Sequence, residues 1–591
     1  MKQFLKFTFA SVIGFVIGSF LLMFLLGALF ATFISVLGKD ETKEIPYNSV
    51  VVLKFNGPVN ERTDNNPLNT IDFSTLKTRI QPGLNEILKS IKYAQSDERI
   101  MGIVIEAADV QAGISSLTEI RDALVSFKES GKFVVSYSDY YSQKAYYLNS
   151  VADEVWMNPE GFLWFAGLSS EMPFFKGLFD KLGIEPQIVR AGKYKSAAEP
   201  FSEYAMSQAN KDQVQRYTDE IWTHMLNDIS YSRNVSIEDL RFSAESSVLK
   251  RATECLDNKM ITNKGYRDEF DDALYKRLQL KGNDRPSKIS LRHYAMSAKW
   301  PGGETLSRDK VAIIYATGAI LDGGDGRESV SAPLLAQEIY EAGTDERIKA
   351  VVLRVNSPGG SAIGSETILH ALQKVKKEKP IIISMGNVAA SGGYYISCAS
   401  DTIIASRNTI TGSIGVIGMM FNAQNLLNEK LGISFDGYKT GPYADFPNVT
   451  RPLSDGEYKW MNQMMDSVYH TFVSRVSEGR SMNYDVVDSL GQGRVWVGTD
   501  AVANGLVDMS GGLLDAIGIA AKKAELENYR IVELPYQKDP FVQMVEDISG
   551  EGISLYQKIK YGALYMDMIQ LRKLVEFEGF MTRIPMFYPI H

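Results

Sequence analysis

The chain has 591 residues, enough for several cores, and 45% of them are hydrophobic and 23% charged, which excludes wholesale disorder and a polytopic membrane protein. Lys+Arg 63 against Asp+Glu 71 gives a net charge of −8, a poor balance for a nucleic-acid partner. Two cysteines, Cys255 and Cys398, with no CxxC between them, exclude a disulfide framework and a structural zinc site. None of the five histidines (His224, His293, His370, His470 and His591) lies in an HExxH or beside an evident nucleophile. A hydrolase of this composition has to work without a catalytic histidine, and nothing calls for a cofactor or a metal.

Residues Phe7–Leu37 carry no charge, and Lys2 and Lys6 precede them. That run exceeds the roughly 20 residues needed to span a bilayer and the roughly 7–15 of a signal-peptide core. It predicts a single uncleaved transmembrane helix within residues 1–43. The N-terminus lies in the cytoplasm and everything from Lys39 onward lies outside it. A cleaved signal peptide, with Ala28 and Ala31 near its cleavage site, is the alternative.

Beyond the anchor the chain repeats itself. Asp97-Glu98-Arg99-Ile100 recurs as Asp345-Glu346-Arg347-Ile348, and the ungapped register runs on to Asp153 and Asp401 with 13 identities in 57 positions. Two related α/β halves are therefore expected, 44–304 and 305–535, with a tail over 536–591. In each half short apolar strands (Val50–Phe55, Gly102–Ile105 and Phe133–Ser136; Val311–Tyr315, Ala350–Arg354 and Ile381–Ser384) alternate with helices. That alternation predicts parallel sheets. Asp212–Asp228 and Gly456–Val476 read as long amphipathic helices, and Phe541–Met568 as a helix of the tail. The tail packs on the core or on another subunit, or touches the membrane surface.

Two loops leave strand ends in the second half, where open α/β sheets place their ligand crevices. One is Asn356-Ser357-Pro358-Gly359-Gly360-Ser361. The other is Ala389-Ala390-Ser391-Gly392-Gly393-Tyr394-Tyr395. Small residues around Ser391 let a substrate backbone approach, and the helix that starts there offers the Gly392 N–H to a developing oxyanion. The Gly359, Gly360 and Ser361 stretch offers a second donor. A tight structural turn is the bland alternative. The first half argues against it, because it keeps Tyr146-Tyr147 but has Gln143-Lys144-Ala145 where the second has Ser391-Gly392-Gly393.

A serine nucleophile needs a base, and without histidine a neutral lysine is the main choice. Lys195, in Tyr194-Lys195-Ser196-Ala197-Ala198-Glu199-Pro200-Phe201, is the candidate, with Lys193 and Lys439 as rivals. Aligning Tyr194 with Tyr443 puts Ala444 at the lysine position, so one half keeps the lysine and the other the serine. Ser413, in Thr411-Gly412-Ser413-Ile414-Gly415-Val416, accepts a hydrogen bond from the lysine or caps its own turn; its counterpart is Phe165.

The motifs YKSAAEPF, NSPGGS, GNVAASGGYYIS and TGSIGV resemble those of signal peptide peptidase A, or protease IV, in its long duplicated bacterial form. The resemblance runs from the anchor to about residue 535. It implies two tandem Clp-protease/crotonase-like repeats and a serine endopeptidase with a Ser-Lys dyad. Its nucleophile matches Ser391, its base Lys195 and its lysine-orienting serine Ser413. It further implies a homotetramer on the periplasmic face of the bacterial inner membrane that degrades remnant signal peptides within their apolar segments. Two other readings compete, a crotonase-type acyl-CoA enzyme and a catalytically inactive membrane scaffold.

Overall fold

The computed structural model describes residues 44–537, except 65–70, 73–76, 79, 279–286, 301–306, 325 and 327–328, together with most of 6–25 and residues 580–583. Among the described residues no helix is long and apolar enough to cross a membrane. The expected span Phe7–Leu37 is described only over parts of 6–25, and the expected tail helix Phe541–Met568 lies outside the described residues.

Each half builds a parallel sheet from its β-branched runs. In the first the strand order is Asn263–Lys264, Glu154–Met157, Phe133–Ser138, Ile100–Glu106, Ser49–Lys54 and Ser287–Ser290, every pair parallel. In the second it is Val495–Val497, Ile410–Gly412, Ile381–Ala390, Ile348–Ser357, Lys310–Thr317 and Arg530–Leu534, and of these only Val495–Val497 runs antiparallel. Side chains alternate across a strand, and the second sheet uses both faces. Ala312, Ile314, Val351 and Leu353 face a core made largely by the second half. Val311, Ile313, Ala350 and Val352 join Leu88, Leu117 and Leu124 of the first half. Helix Leu513–Lys523 buries Leu513, Ala516 and Ile517 in that same cluster. The halves thus share a core rather than touching at a surface.

A third sheet mixes the halves and was not foreseen. Its order is Val330–Ser331, Ile320–Leu321, Gly359–Ser361, Phe580–Arg583, Val416–Asn422 and Glu185–Ala191. Glu185–Ala191 of the first half pairs antiparallel with Val416–Asn422 of the second, from Ala191↔Val416 to Glu185↔Asn422. Within the tail, Phe580–Arg583 is a strand. It runs antiparallel to Gly359–Ser361 on one side and to Ile417-Gly418 on the other.

The repeated residues make repeated contacts. Asp97 accepts from the Arg99 N–H at 3.1 Å and Asp345 from that of Arg347 at 2.9 Å. The Asp153 carboxylate caps Val134 N at 2.9 Å, as Asp401 caps Ile381 N at 2.8 Å. The Tyr146 hydroxyl donates to Met260 O and that of Tyr394 to Leu506 O, both at 2.8 Å. Asp97 also accepts from the buried Tyr294 hydroxyl at 3.0 Å. Asp97→Ala strands that hydroxyl and is expected to cost about 1–3 kcal/mol in denaturant unfolding, with the circular dichroism of the folded protein unchanged.

Candidate active site

Strand Ile381–Ala390 ends at Ser391, whose backbone turns sharply to φ 56°, ψ −119° before helix Gly392–Ser397. A non-glycine residue there costs about 1–3 kcal/mol. The turn is held by Ser391 N–H donating to Gly412 O at 2.8 Å. Close packing explains Gly393, where a Cβ would lie 2.6 Å from Ser357 O. The first N–H groups of a helix have no internal partner, and Gly392 is the first residue of this one.

Lys195 lies four residues past strand Glu185–Ala191, and Ser413 three residues before its partner strand Val416–Asn422. The interdomain pairing therefore brings them together. Lys195 Nζ is 2.7 Å from Ser391 Oγ, 3.1 Å from Ser413 O and 3.1 Å from Ser413 Oγ. Lys195 is 1% exposed, and burial lowers its pKa to about 7. A neutral amine has two N–H bonds and one lone pair. The carbonyl and hydroxyl of Ser413 accept the two hydrogens, which leaves the lone pair for the Ser391 hydroxyl. The Ser413 hydroxyl in turn donates to Gly493 O at 3.3 Å.

That last contact belongs to a turn the sequence reading missed, Gly491-Gln492-Gly493-Arg494. Tyr194 N donates to Gln492 O and Ser413 N to Arg494 O, both at 2.7 Å. One turn thus holds the backbone on either side of the lysine amine. Gln492 and Gly493 take φ 53° and 78°. A Cβ on Gly493 would stand 2.6–2.8 Å from Lys195 backbone and Cβ atoms. The Arg494 guanidinium stacks over Tyr194 at 5.3 Å and over Trp496 at 4.4 Å, closing the turn from outside. The Gly-Gln-Gly pattern was the available signal.

The remaining predicted residues separate. Gly359, at φ 98°, donates its N–H to Ser357 Oγ at 3.2 Å. Gly360 lets its backbone pass strand Ile320–Leu321, where a Cβ would meet Ile320 O at 2.0 Å. Ser361 caps helix Ala362–Val375, accepting from Gly364 N at 3.0 Å and donating to Asp322. Lys193 is exposed, and Lys439 pairs with Asp445 at 2.6 Å; neither rival reaches Ser391. In the first half Gln143 fills the equivalent turn. Its side chain accepts from Ala166 and Gly167 N–H at 3.0 and 2.9 Å and donates to Gly167 O at 2.9 Å. Phe165 is buried against Tyr146 and Trp222.

A serine on a strained strand-to-helix turn, beside a buried lysine amine in a duplicated α/β scaffold, defines a serine-type peptidase. The profile of Peptidase family S49 matches residues 126–281 and 373–527, once in each half. The chain is 31% identical over 560 residues to Protease 4 of Salmonella typhi, covering 92% of this chain and 89% of that one. It is 35% identical over 496 residues to Protease 4 of Haemophilus influenzae, covering 80% and 76%. It is 32% identical over 487 residues to the chloroplastic serine protease SPPA of Arabidopsis thaliana, covering 81% and 72%. The chain belongs to peptidase family S49 and is a long, duplicated serine protease of the Protease 4 type. Gly493→Ala is expected to lower kcat at least about 100-fold, as an ångström-scale displacement of a reacting group does, in a protein whose circular dichroism is unchanged.

Proposed function

We propose that the chain is a single-pass, membrane-anchored endopeptidase that degrades remnant signal peptides and other apolar segments through a Ser391–Lys195 dyad. The 2.7 Å contact between Ser391 Oγ and a lysine amine held near neutrality is the observation that carries the reading. Neutral Lys195 takes the Ser391 proton as the hydroxyl attacks a peptide carbonyl. The Gly392 N–H and a donor of the Gly359–Ser361 strand hold the oxyanion. Protonated Lys195 returns the proton to the leaving amine, and water then hydrolyses the acyl-enzyme with the same lysine as base.

Apolar substrates fit the surroundings. Ala197, Ala198, Phe201, Ile417 and Met419 form an apolar cluster with Phe175, Phe179 and Phe421 next to Lys195. An extended peptide can pair with both Gly359–Ser361 and Val416–Asn422, in the slot now filled by Phe580–Arg583. The uncharged run Phe7–Leu37 behind Lys2 and Lys6 supports anchoring in the bacterial inner membrane with the peptidase on the periplasmic side. Assembly into a homotetramer is part of the same proposal, on the strength of the motif resemblance.

Ser391→Ala and Lys195→Ala are each expected to cut kcat on an apolar peptide reporter by at least about 1,000-fold, and near-normal turnover in either overturns the dyad. Only the neutral amine accepts a proton, so kcat/KM is expected to rise through about pH 7 and then level off. Lys195→Met replaces a buried amine by a thioether of similar size, so melting temperature is expected to rise while activity is lost. Deleting residues 580–591 empties the strand slot, and KM for an extended peptide is expected to fall; an unchanged KM places peptide docking elsewhere.

A further inference from the structure

Glu61 belongs to the first half, yet both its carboxylate oxygens meet the second. It is 4% exposed. Oε2 accepts from Arg354 Nε at 2.7 Å, and Oε1 accepts from Asn356 Nδ2 at 2.8 Å. Arg354 is fully buried and is bound separately by Glu119 at 2.7 Å and by Ser384 Oγ at 2.8 Å. The Glu119 pair already ties Arg354 to the first half. The Glu61–Asn356 contact is an additional grip, and its location gives it a different consequence.

Asn356 sits at a bulge. Strands Ile348–Ser357 and Ile381–Ala390 stay in register from Val351↔Ile381 to Val355↔Met385, and resume only at Ser357↔Ala389. Across the gap Asn356 alone faces Gly386, Asn387 and Val388. Its side chain bridges them, because Oδ1 accepts from Val388 N at 3.1 Å while Nδ2 donates to Glu61. Gly386 leaves room for the carboxylate, since a Cβ there would stand 2.6 Å from Glu61 Oε1. On the other side Asn387 is held by Ser116 of the first half, through its N–H at 3.1 Å and its hydroxyl at 2.8 Å. Two residues beyond the point where pairing resumes, one strand delivers Ser391 and the other Gly359. The shape of the bulge therefore sets where the nucleophile stands relative to the donors of the neighbouring strand.

We propose that Glu61 is a positioning residue for the active site: acting through Asn356, it fixes the bulge and thereby holds the Gly359–Ser361 strand in register with Ser391. This rests on the Ser391–Lys195 reading above. Bulges next to active sites commonly aim side chains in this way, and a buried carboxylate in excess over its cation is a costly means of merely joining two halves.

The test uses Glu61→Gln, Asn356→Ala and the double variant in the full-length protein, beside Ser391→Ala. Each single variant is expected to lose about tenfold or more in kcat, with KM within about twofold. The inflection near pH 7 is expected to stay in place, because Lys195 is not in the cluster. The rate of Ser391 labelling by a phosphonate is expected to fall with kcat. The double variant is expected to lose no more than the worse single, because the two residues act in series. A folded Glu61→Gln protein with unchanged kcat overturns the inference, as do losses that multiply in the double variant. Should Glu61→Gln fail to fold, Asn356→Ala, which leaves the Arg354 ion pairs intact, decides by the same kcat criterion. Activity surviving in Ser391→Ala overturns the dyad and this inference with it. An inactive Ser391→Ala beside an unimpaired Glu61→Gln overturns this inference alone.

Discussion

A lysine amine buried with no carboxylate bonded to it among the described residues is the constraint on which the rest of the structure depends. In water such an amine holds its proton to about pH 10.4 and is useless as a base near neutrality. In the proposed dyad Lys195 can serve as one because burial lowers its pKa to about 7. Burial has to be complete, and a crevice at the open end of one sheet would not achieve it. The molecule achieves it by setting Lys195 just past a strand of one repeat, pairing that strand with the other repeat, and closing the turn Gly491–Arg494 behind it. The shared apolar core is what keeps that arrangement shut.

The duplication separates what the fold needs from what the chemistry needs. Residues retained in both halves are structural: Asp97 and Asp345 bind their own turns, Asp153 and Asp401 cap strand starts, and Tyr146 and Tyr394 anchor the following helix to a distant carbonyl. Among the residues that differ are those around the proposed dyad. Where the second half has Ser391 and Ser413, the first has Gln143 and Phe165, which fill the same space with an amide clasp and an aromatic ring. The first half builds this turn with Gln143 in place of the serine, so Ser391 in the second half answers to something other than the fold.

Much of this was legible in the chain because it recurs or is periodic. Apolar runs marked the parallel strands, and comparison of the two halves singled out Ser391, Lys195 and Ser413. The strand at 381 was read as ending at Ser384 but continues to Ala390, because Val388–Ala390 gain partners in Ile410–Gly412 that no local pattern announces. The strand Phe580–Arg583, beyond the stretch Phe541–Met568 read as helix, had no local signal, because its partners lie more than 160 residues away in sequence. Glu61 was invisible for the same reason: its partners Arg354 and Asn356 come from the other half, and its own neighbours Asn60 and Arg62 carry no periodic or motif signal.

Positive φ at Ser391, Ser413 and Gln492 concentrates unfavourable backbone conformations within one small region. Such a cluster persists only where its surroundings over-determine it. Here every strained residue is tied to another: Ser391 N to Gly412 O, Ser413 N to Arg494 O, and Gln492 O to Tyr194 N. The last of these bonds crosses between the halves, so the lysine and the strained turn hold each other in place. A second chain is not needed to complete the dyad, since Lys195 and Ser391 of one chain already meet at hydrogen-bond distance. With base and nucleophile in one covalent unit, neither repeat has to keep both, and the complementary losses at Gln143 and Ala444 follow from that economy.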